Sequence, residues 1–394
     1  MEYRTFCGHE VFPLGAGMMR LPLREGGQGG SHIAWGASDE AASIKMLRAA
    51  IDAGVNYVDT AYKYMGGDSE RITGLALRDG YRERVLLATK SPVWLLDERS
   101  FESLLDEQLE RLQTDHVDFY LLHSLNWRNW DFVKRHDAVE SLLRAKREGK
   151  VHHAGFSFHA SFELFQEILD ATDEWDFCQI QLNYLDADYQ AGVRGLRLAK
   201  ERGLDVAIME PLRGGLLALP PKPCRDALGD LAGMPAEADS GFAARTYAEL
   251  AFDWLWDMPE VGVVLSGMGS AAQVEENAAY ARRASVGMLS DRDRAALDAA
   301  RVAYQACALV PCTGCNYCRE VCPNNVAISY VLRSYNMLAT EDEEAARAYF
   351  NVEVPKFGAN ADACVGCGAC EARCPQDIRI ADWMPKVEGA LRTA

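Results

Sequence analysis

The chain has 394 residues, 49% of them hydrophobic and 25% charged, with a formal net charge of −17. That length accommodates one large domain and a smaller one. The acidic balance and the lack of a Lys/Arg tract exclude nucleic acid as an evident partner. The N-terminal MEYRTFCGHEVF lacks a charged-then-apolar leader pattern and no apolar run reaches membrane-span length, so a cytoplasmic, membrane-free protein is expected.

In chain order, eight short β-rich runs lie between about residues 11 and 282. They are FPLGAGMMR, NYVDT, VLLAT, VDFYLLH, VHHAGFSF, FCQIQL, DVAIME and GVVLSG. Amphipathic helical stretches separate them. In SDEAASIKMLRAAIDAG, Ser38 is the expected N-cap and Gly54 the stop. In SFESLLDEQLERLQ, Ser100 caps and Leu104, Leu105, Leu109 and Leu112 form the buried stripe. Eight strand–helix units are the arithmetic of an α/β fold of the (β/α)8 TIM-barrel type. The competing doubly wound sheet needs a glycine-rich dinucleotide turn after an early strand, and GAGMM does not supply one. Two stretches break the spacing: the glycine-rich residues 24–38 and the proline-broken residues 220–240. Both are expected as loops on the C-terminal face, where barrel active sites are built.

Three strand ends carry polar groups. The second run ends in Asp59, with Tyr64 shortly after; the third ends in Lys90 and the fourth in His123. Singly, each has an ordinary explanation: a helix cap, a packed ring, a solvated charge, a core histidine. Together, at successive strand ends of a barrel, they converge on one mouth. A tyrosine is a poor acid, with an unperturbed pKa of about 10. A lysine ammonium beside it favours the phenolate, a carboxylate holds the lysine charged, and the histidine orients a substrate oxygen. Such a set protonates a carbonyl oxygen as hydride reaches carbon, or runs in reverse.

The C-terminal region carries one pattern twice. Cys312, Cys315, Cys318 and Cys322 precede Pro323; Cys364, Cys367, Cys370 and Cys374 precede Pro375. C-x2-C-x2-C-x3-C-P is the ligand spacing of cubane iron–sulfur clusters, in which the fourth cysteine reaches the other cluster. Zinc ribbons use paired CxxC motifs instead. One [4Fe–4S] cluster is therefore assigned to Cys312, Cys315, Cys318 and Cys374, and a second to Cys364, Cys367, Cys370 and Cys322. The helical SDRDRAALDAARVAYQ leads into this region, and TEDEEAARAYF between the motifs reads as another helix. The expected organisation is a barrel over 1–285, a linking helix over 286–306, and a helix-rich, two-cluster ferredoxin-like domain over 307–394. Cys7, Cys178, Cys224 and Cys307 are read as buried or incidental thiols.

The motifs GVNYVDTAYKYMGGDSE, LLATK, VDFYLLH and EEN make residues 1–285 resemble the aldo-keto reductases. MEPLRGG followed by the cysteine region is similar to the ferredoxin-fused branch of that family. The resemblance implies a catalytic tetrad of Asp59, Tyr64 (acid/base), Lys90 and His123. It also implies nicotinamide contacts. Ser157 and Gln179 stand where the family grips the carboxamide, although Phe158 replaces an Asn. Met209 replaces the aromatic that stacks on the ring, and Glu210 stands where a Ser is usual. Pro211, Leu212 and Gly214 retain the pyrophosphate loop. The positions of the NADP 2′-phosphate clamp are Gly267 and Gln273, and Glu276 and Asn277 form the adenine-side pair. A dianion without a cation is costly to bury, so NAD(H) is expected over NADP(H).

Three readings follow. In the first, an oxidoreductase interconverts a small-molecule carbonyl and alcohol at a nicotinamide, and two [4Fe–4S] clusters link that site to a ferredoxin- or flavodoxin-like electron partner. In the second, the clusters reduce the barrel-bound substrate directly, without nicotinamide. In the third, the barrel is a non-enzymatic binding or redox-sensing scaffold, against which the complete tetrad argues. Trp35, Trp94, Trp127 and Trp130 offer a flat wall for an aromatic or sugar-like ligand.

Overall fold

The computed structural model of the protein describes residues 3–24, 38–234, 244–307, 309–314 and 316–392. Most of the glycine-rich loop with Trp35, the end of the proline-broken excursion, and Cys315 fall outside the described residues, as does the side chain of Cys307.

Eight parallel strands close a barrel in chain order. They are β3 (Leu14–Gly17), β4 (Tyr57–Asp59), β5 (Leu86–Ser91), β6 (Val117–Leu125), β7 (Val151–Phe158), β8 (Phe177–Gln181), β9 (Asp205–Met209) and β10 (Val261–Ser266). Each overlaps one of the eight expected runs, with β5 and β6 running two residues further and β10 starting one residue earlier, and β10 pairs β3 to complete the (β/α)8 fold. The helix Phe101–Leu112 starts as read: Ser100 Oγ accepts from Ser103 N at 3.2 Å. The helix Glu40–Asp52 differs by one residue. Asp39, not Ser38, is the cap, accepting from Ala42 N at 2.9 Å, while Ser38 is buried. A carboxylate is favoured there because its charge also faces the positive end of the helix.

Two short strands are additional to the expected set. β1 (Arg4–Phe6) and β2 (His9–Val11) form an antiparallel hairpin, turned through Cys7 and Gly8 at positive φ. Phe6 is fully buried, its ring 5.3 Å from Phe119, 5.6 Å from Tyr57 and 5.7 Å from Phe177. A Cβ at Gly262 would lie 2.4 Å from that ring, so the bare glycine admits it. Arg4 fastens the hairpin by donating to the carbonyls of Val261 at 2.6 Å and Met258 at 3.1 Å.

The chain forms two compact units. The first holds the barrel strands and runs up to Pro211, with Ala251–Leu289; the second holds Leu212–Leu250 and Ser290–Ala394. The second unit is helix-rich, as expected, with helices Asp291–Cys307, Ile328–Thr340, Glu343–Ala348 and Ile380–Leu391. Val331, Leu332, Phe350, Met384 and Val387 are among the side chains of its own apolar core. Among the described residues, no helix is long and apolar enough to cross a membrane.

Phe6→Ala is expected to cost about 3–5 kcal/mol, because it leaves an aromatic-sized void that the surrounding rings cannot fill. The urea midpoint of unfolding measures it; an unchanged midpoint would show that the hairpin adds nothing to barrel stability.

Candidate functional site

The four strand-end groups meet. Lys90 Nζ donates to Asp59 Oδ1 at 2.6 Å and to the Thr60 carbonyl at 2.8 Å, and both charged side chains are buried. The ammonium lies 4.8 Å from the centroid of the Tyr64 ring. The Tyr64 and His123 rings are 5.8 Å apart at 77°, an edge-to-face contact. Burial pushes the Asp59 carboxyl up and the Lys90 ammonium down, and each opposes the shift of the other.

Local backbone explains how these side chains are presented. After β4 the chain turns through Met65, Gly66 and Gly67, all at positive φ, before the helix Asp68–Ala76, and this turn carries Tyr64. At His123 the β6–β7 register shifts between Leu122 and Leu125, and Ser124 takes φ 54°. Asn129 Nδ2 holds the Ser124 carbonyl at 2.7 Å, and Ser157 Oγ accepts from Ser124 N at 2.6 Å. A bulge there re-aims the side chain at the end of the strand.

A second layer was not singled out in the sequence. Glu70, fully buried, accepts from Thr89 Oγ1 at 2.6 Å and from Gln108 Nε2, and pairs with Arg111 at 3.3 Å. Gln108 Nε2 also donates to the Lys90 carbonyl at 3.1 Å. Burial raises the Glu70 carboxyl above its ordinary range, and its charge helps hold the Lys90 proton. The available signal was polar residues in apolar places: Gln108 on the leucine stripe, and Glu70 closing GGDSE.

The positions expected to contact nicotinamide are distributed as follows. Ser157 and Gln179 are register partners on β7 and β8, both buried, and Gln179 Oε1 has no hydrogen-bond partner. An amide donor fits that orphaned acceptor. Phe158 packs on Phe165 instead, with centroids 5.0 Å apart. Met209 is half-buried at the end of β9, and Pro211 follows it. Leu212 and Gly214 belong to the second unit. Gln273 Oε1 accepts from Gly269 N at 2.8 Å, and Asn277 Nδ2 donates to Ser266 Oγ at 3.2 Å. Glu276 accepts from the Tyr280 hydroxyl. The stem of Arg20 covers Gly267: a Cβ there would lie 3.3 Å from Arg20 Cδ. Thus the stem of a cationic side chain packs at Gly267.

Of the tryptophans, Trp94 lies 5.3 Å from the His123 ring. Trp127 is exposed, and Trp130 is buried and donates to Glu167 at 2.7 Å, as a packing residue does.

In the second unit the cysteines gather in two sets. One cavity is lined by Cys364, Cys367, Cys370 and, from the first motif, Cys322. Another is lined by Cys312, Cys318 and, from the second motif, Cys374. The donor sets suit iron: soft thiolates in apolar surroundings, with the fourth exchanged between motifs. Burial, then the Glu371 carboxylate and the neighbouring thiols, raise the Cys370 thiol to about 11, and burial raises Cys374. Cys7, Cys178 and Cys224 stand outside both sets, and Cys178 and Cys224 are buried.

Comparisons with known proteins agree with this division. Residues 14–301 match the model of the aldo/keto reductase family, and residues 311–378 that of the 4Fe-4S dicluster domain. The chain is 30% identical over 289 residues to a 6-dehydroglucose reductase of Novosphingobium aromaticivorans, covering 66% of this chain and 92% of that protein. It is 32% identical over 168 residues to the aldo-keto reductase YhdN of Bacillus subtilis, covering 40% of this chain and 47% of that protein's length. A Klebsiella pneumoniae aldo/keto reductase solved with NADP and acetate superposes with a TM-score of 0.57 at 25% identity, covering 76% of this chain and 95% of the other.

His159, buried just after β7, has its pKa pushed down to about 4 by burial, opposed by the hydrogen bond its ring makes to Gln190. An unfolded histidine titrates near 6.5, so between those values the unfolded chain binds a proton that the folded chain does not. Stability therefore rises with pH across that window, by roughly 3 kcal/mol. His159→Gln is expected to flatten this rise, read as the difference in urea midpoint between pH 4.5 and pH 7. An unaltered difference would mean that His159 is not the group responsible.

Proposed function

The chain belongs to the aldo/keto reductase family and carries a C-terminal 4Fe-4S dicluster domain, and from that premise we propose that it interconverts a small-molecule carbonyl and its alcohol at the Tyr64 site. The observation that carries this is the buried Asp59–Lys90 pair holding its ammonium against the Tyr64 ring, with His123 at the ring's edge. Tyr64 donates its hydroxyl proton to the carbonyl oxygen. The Lys90 ammonium stabilises the phenolate left behind, and Asp59 fixes the ammonium in place. His123 orients the substrate oxygen, and Trp94 closes the apolar side of the same ring.

A nicotinamide, when bound, supplies or removes the hydride. Gln179 and Ser157 would hold its carboxamide, Met209 would pack on the ring, and Pro211 would lie along the phosphates; Glu276 and Asn277 would hold the adenine side. Arg20 gives that side the positive charge that Gly267 and Gln273 lack. The NAD(H) preference expected from those two positions is thus opposed by one residue, and the choice between the two forms is made at position 20.

Iron–sulfur clusters, when bound, each carry one electron at a time. Cys312, Cys315, Cys318 and Cys374 would hold one, and Cys364, Cys367, Cys370 and Cys322 the other. In this reading residues 1–285 are the reductase body, 286–306 the link and 307–394 the electron-transfer module, served by a ferredoxin- or flavodoxin-like partner. A cytoplasmic setting, where thiols stay reduced, suits the cysteines.

Tyr64→Phe is expected to lower kcat for carbonyl reduction by about 10²–10⁴-fold with little change in KM, as the loss of a positioned acid does. Turnover at the parent rate would remove Tyr64 from the mechanism. Anaerobic titration of the cluster-loaded protein with NADPH and NADH is expected to bleach the cluster absorbance. Arg20→Ala should weaken NADPH about tenfold relative to NADH, corresponding to about 1.4 kcal/mol. An unchanged ratio would return the cofactor preference to positions 267 and 273.

A further inference from the structure

The second unit contains a cavity of about 470 Å³, bordered by Gly214 and Cys312, whose interior has no role in the chemistry above. That volume lies within the range of small-molecule sites. Three cations line it, Arg213, Arg225 and Arg333, against the single carboxylate of Glu341. In a chain of net charge −17 this is a local reversal of sign, and it marks the cavity as a place for an anion.

The wall is built, not incidental. Arg213 is 5% exposed, donates to the Tyr304 hydroxyl and stands 4.8 Å over that ring. Its φ of 46° is a left-handed value that side chains larger than glycine rarely adopt. Strain of this kind persists where the surroundings over-determine it, and clusters at ligand clamps. Arg225 is anchored by donating to the Pro220 carbonyl at 2.8 Å. Tyr330 is 4% exposed and stacked on Phe357, with centroids 4.1 Å apart at 11°, which makes that wall a rigid aromatic surface.

The cavity also reaches the first cysteine motif, because Cys312 lines it. Asn336 ties the two together: its amide exchanges hydrogen bonds with the backbone N and O of Val310, both at 2.8 Å. A ligand here would touch the loop that holds the first cluster.

We infer that this cavity is a second small-molecule site, taking a phosphate-bearing planar redox mediator of the flavin mononucleotide class. The inference rests on the reading that the clusters exchange electrons with hydride chemistry. Clusters pass electrons singly, whereas a hydride carries two, and an isoalloxazine takes them one at a time and returns them as a pair. Two electrons, one from each reduced cluster, and two protons from water convert the oxidised ring to its dihydro form. Both clusters return to their oxidised state. The arginines suit the phosphate, and Tyr304 and Tyr330 suit the ring.

The test is anaerobic titration of the cluster-loaded full chain with FMN, followed by quenching of flavin fluorescence. Stoichiometric binding is expected, unaffected by saturating NADH or NADPH. Arg225→Glu and Arg333→Glu should each weaken it tenfold or more; Arg333 is exposed and stands 5.4 Å over the Tyr349 ring, and an unchanged urea midpoint of its variant separates loss of binding from loss of fold. Dithionite-reduced clusters should be reoxidised by bound FMN, with loss of their EPR signal. Displacement by NADPH would show the cavity to be an arm of the dinucleotide site and overturn the inference, as would unaltered binding in both variants. Failure to bind while the clusters still respond to NADH or NADPH would sink this inference alone. Binding without reoxidation would sink the electron-exchange reading and the mediator role with it.

Discussion

Two opposite charges, Lys90 and Asp59, are held 2.6 Å apart at the ends of adjacent strands, away from water. Removing both from solvent costs more than a surface pair ever returns, and apolar residues of similar size often serve stability as well or better. The pair is therefore best understood through what it enables: a lysine beside Tyr64 inside an apolar barrel, whose proton the Asp59 carboxylate favours against the pull of burial. Much of the surrounding structure serves that condition. The Thr60 carbonyl takes a second ammonium proton, and Gln108 fixes the Lys90 backbone. Glu70 adds a negative charge at longer range, itself satisfied by Thr89, Gln108 and Arg111.

The second unit meets a different constraint, that of bringing thiolates around a compact inorganic cage. It does so with the same backbone turn used twice. Gly314 and Asn316 take positive φ in the first motif, and Gly366 and Gly368 do so in the second; Asn325 and Asp377 repeat it after the two prolines. A short 3-10 turn precedes each fourth cysteine, Arg319–Val321 and Glu371–Arg373. The exchange of Cys322 and Cys374 between the two cysteine cavities makes the motifs interdependent. Neither can form its full donor set alone.

Where local pattern and global fold agree, the residues could be read directly. Each barrel strand is a run of apolar residues bounded by turn signals, and Ser100 with its leucine stripe forms the helix its spacing describes. Local reading failed where a partner distant in sequence decides the outcome. The three-residue strands of the hairpin carry too little pattern to register, and they exist because Phe6 finds a pocket among Tyr57, Phe119 and Phe177. Ser38 and Asp39 are both acceptable caps, and the position of the chain entering the helix selects between them. The stem of Arg20 packs over the bare Gly267, a neighbour far along the chain that nothing around position 20 announces.

The sequence by itself determined the kind of chemistry: a Tyr, Lys, Asp and His at successive strand ends, and eight cysteines spaced for iron. These are short-range facts, because ligand spacing and strand termini are properties of contiguous residues. The tertiary structure alone decided the surroundings of that chemistry. The bulge at His123, the buried carboxylate of Glu70, the placing of Arg20 and the arginine-lined cavity each depend on side chains far apart in the chain. Burial, charge balance and hydrogen-bond satisfaction at such places are sums over the whole fold, and no window of sequence contains them.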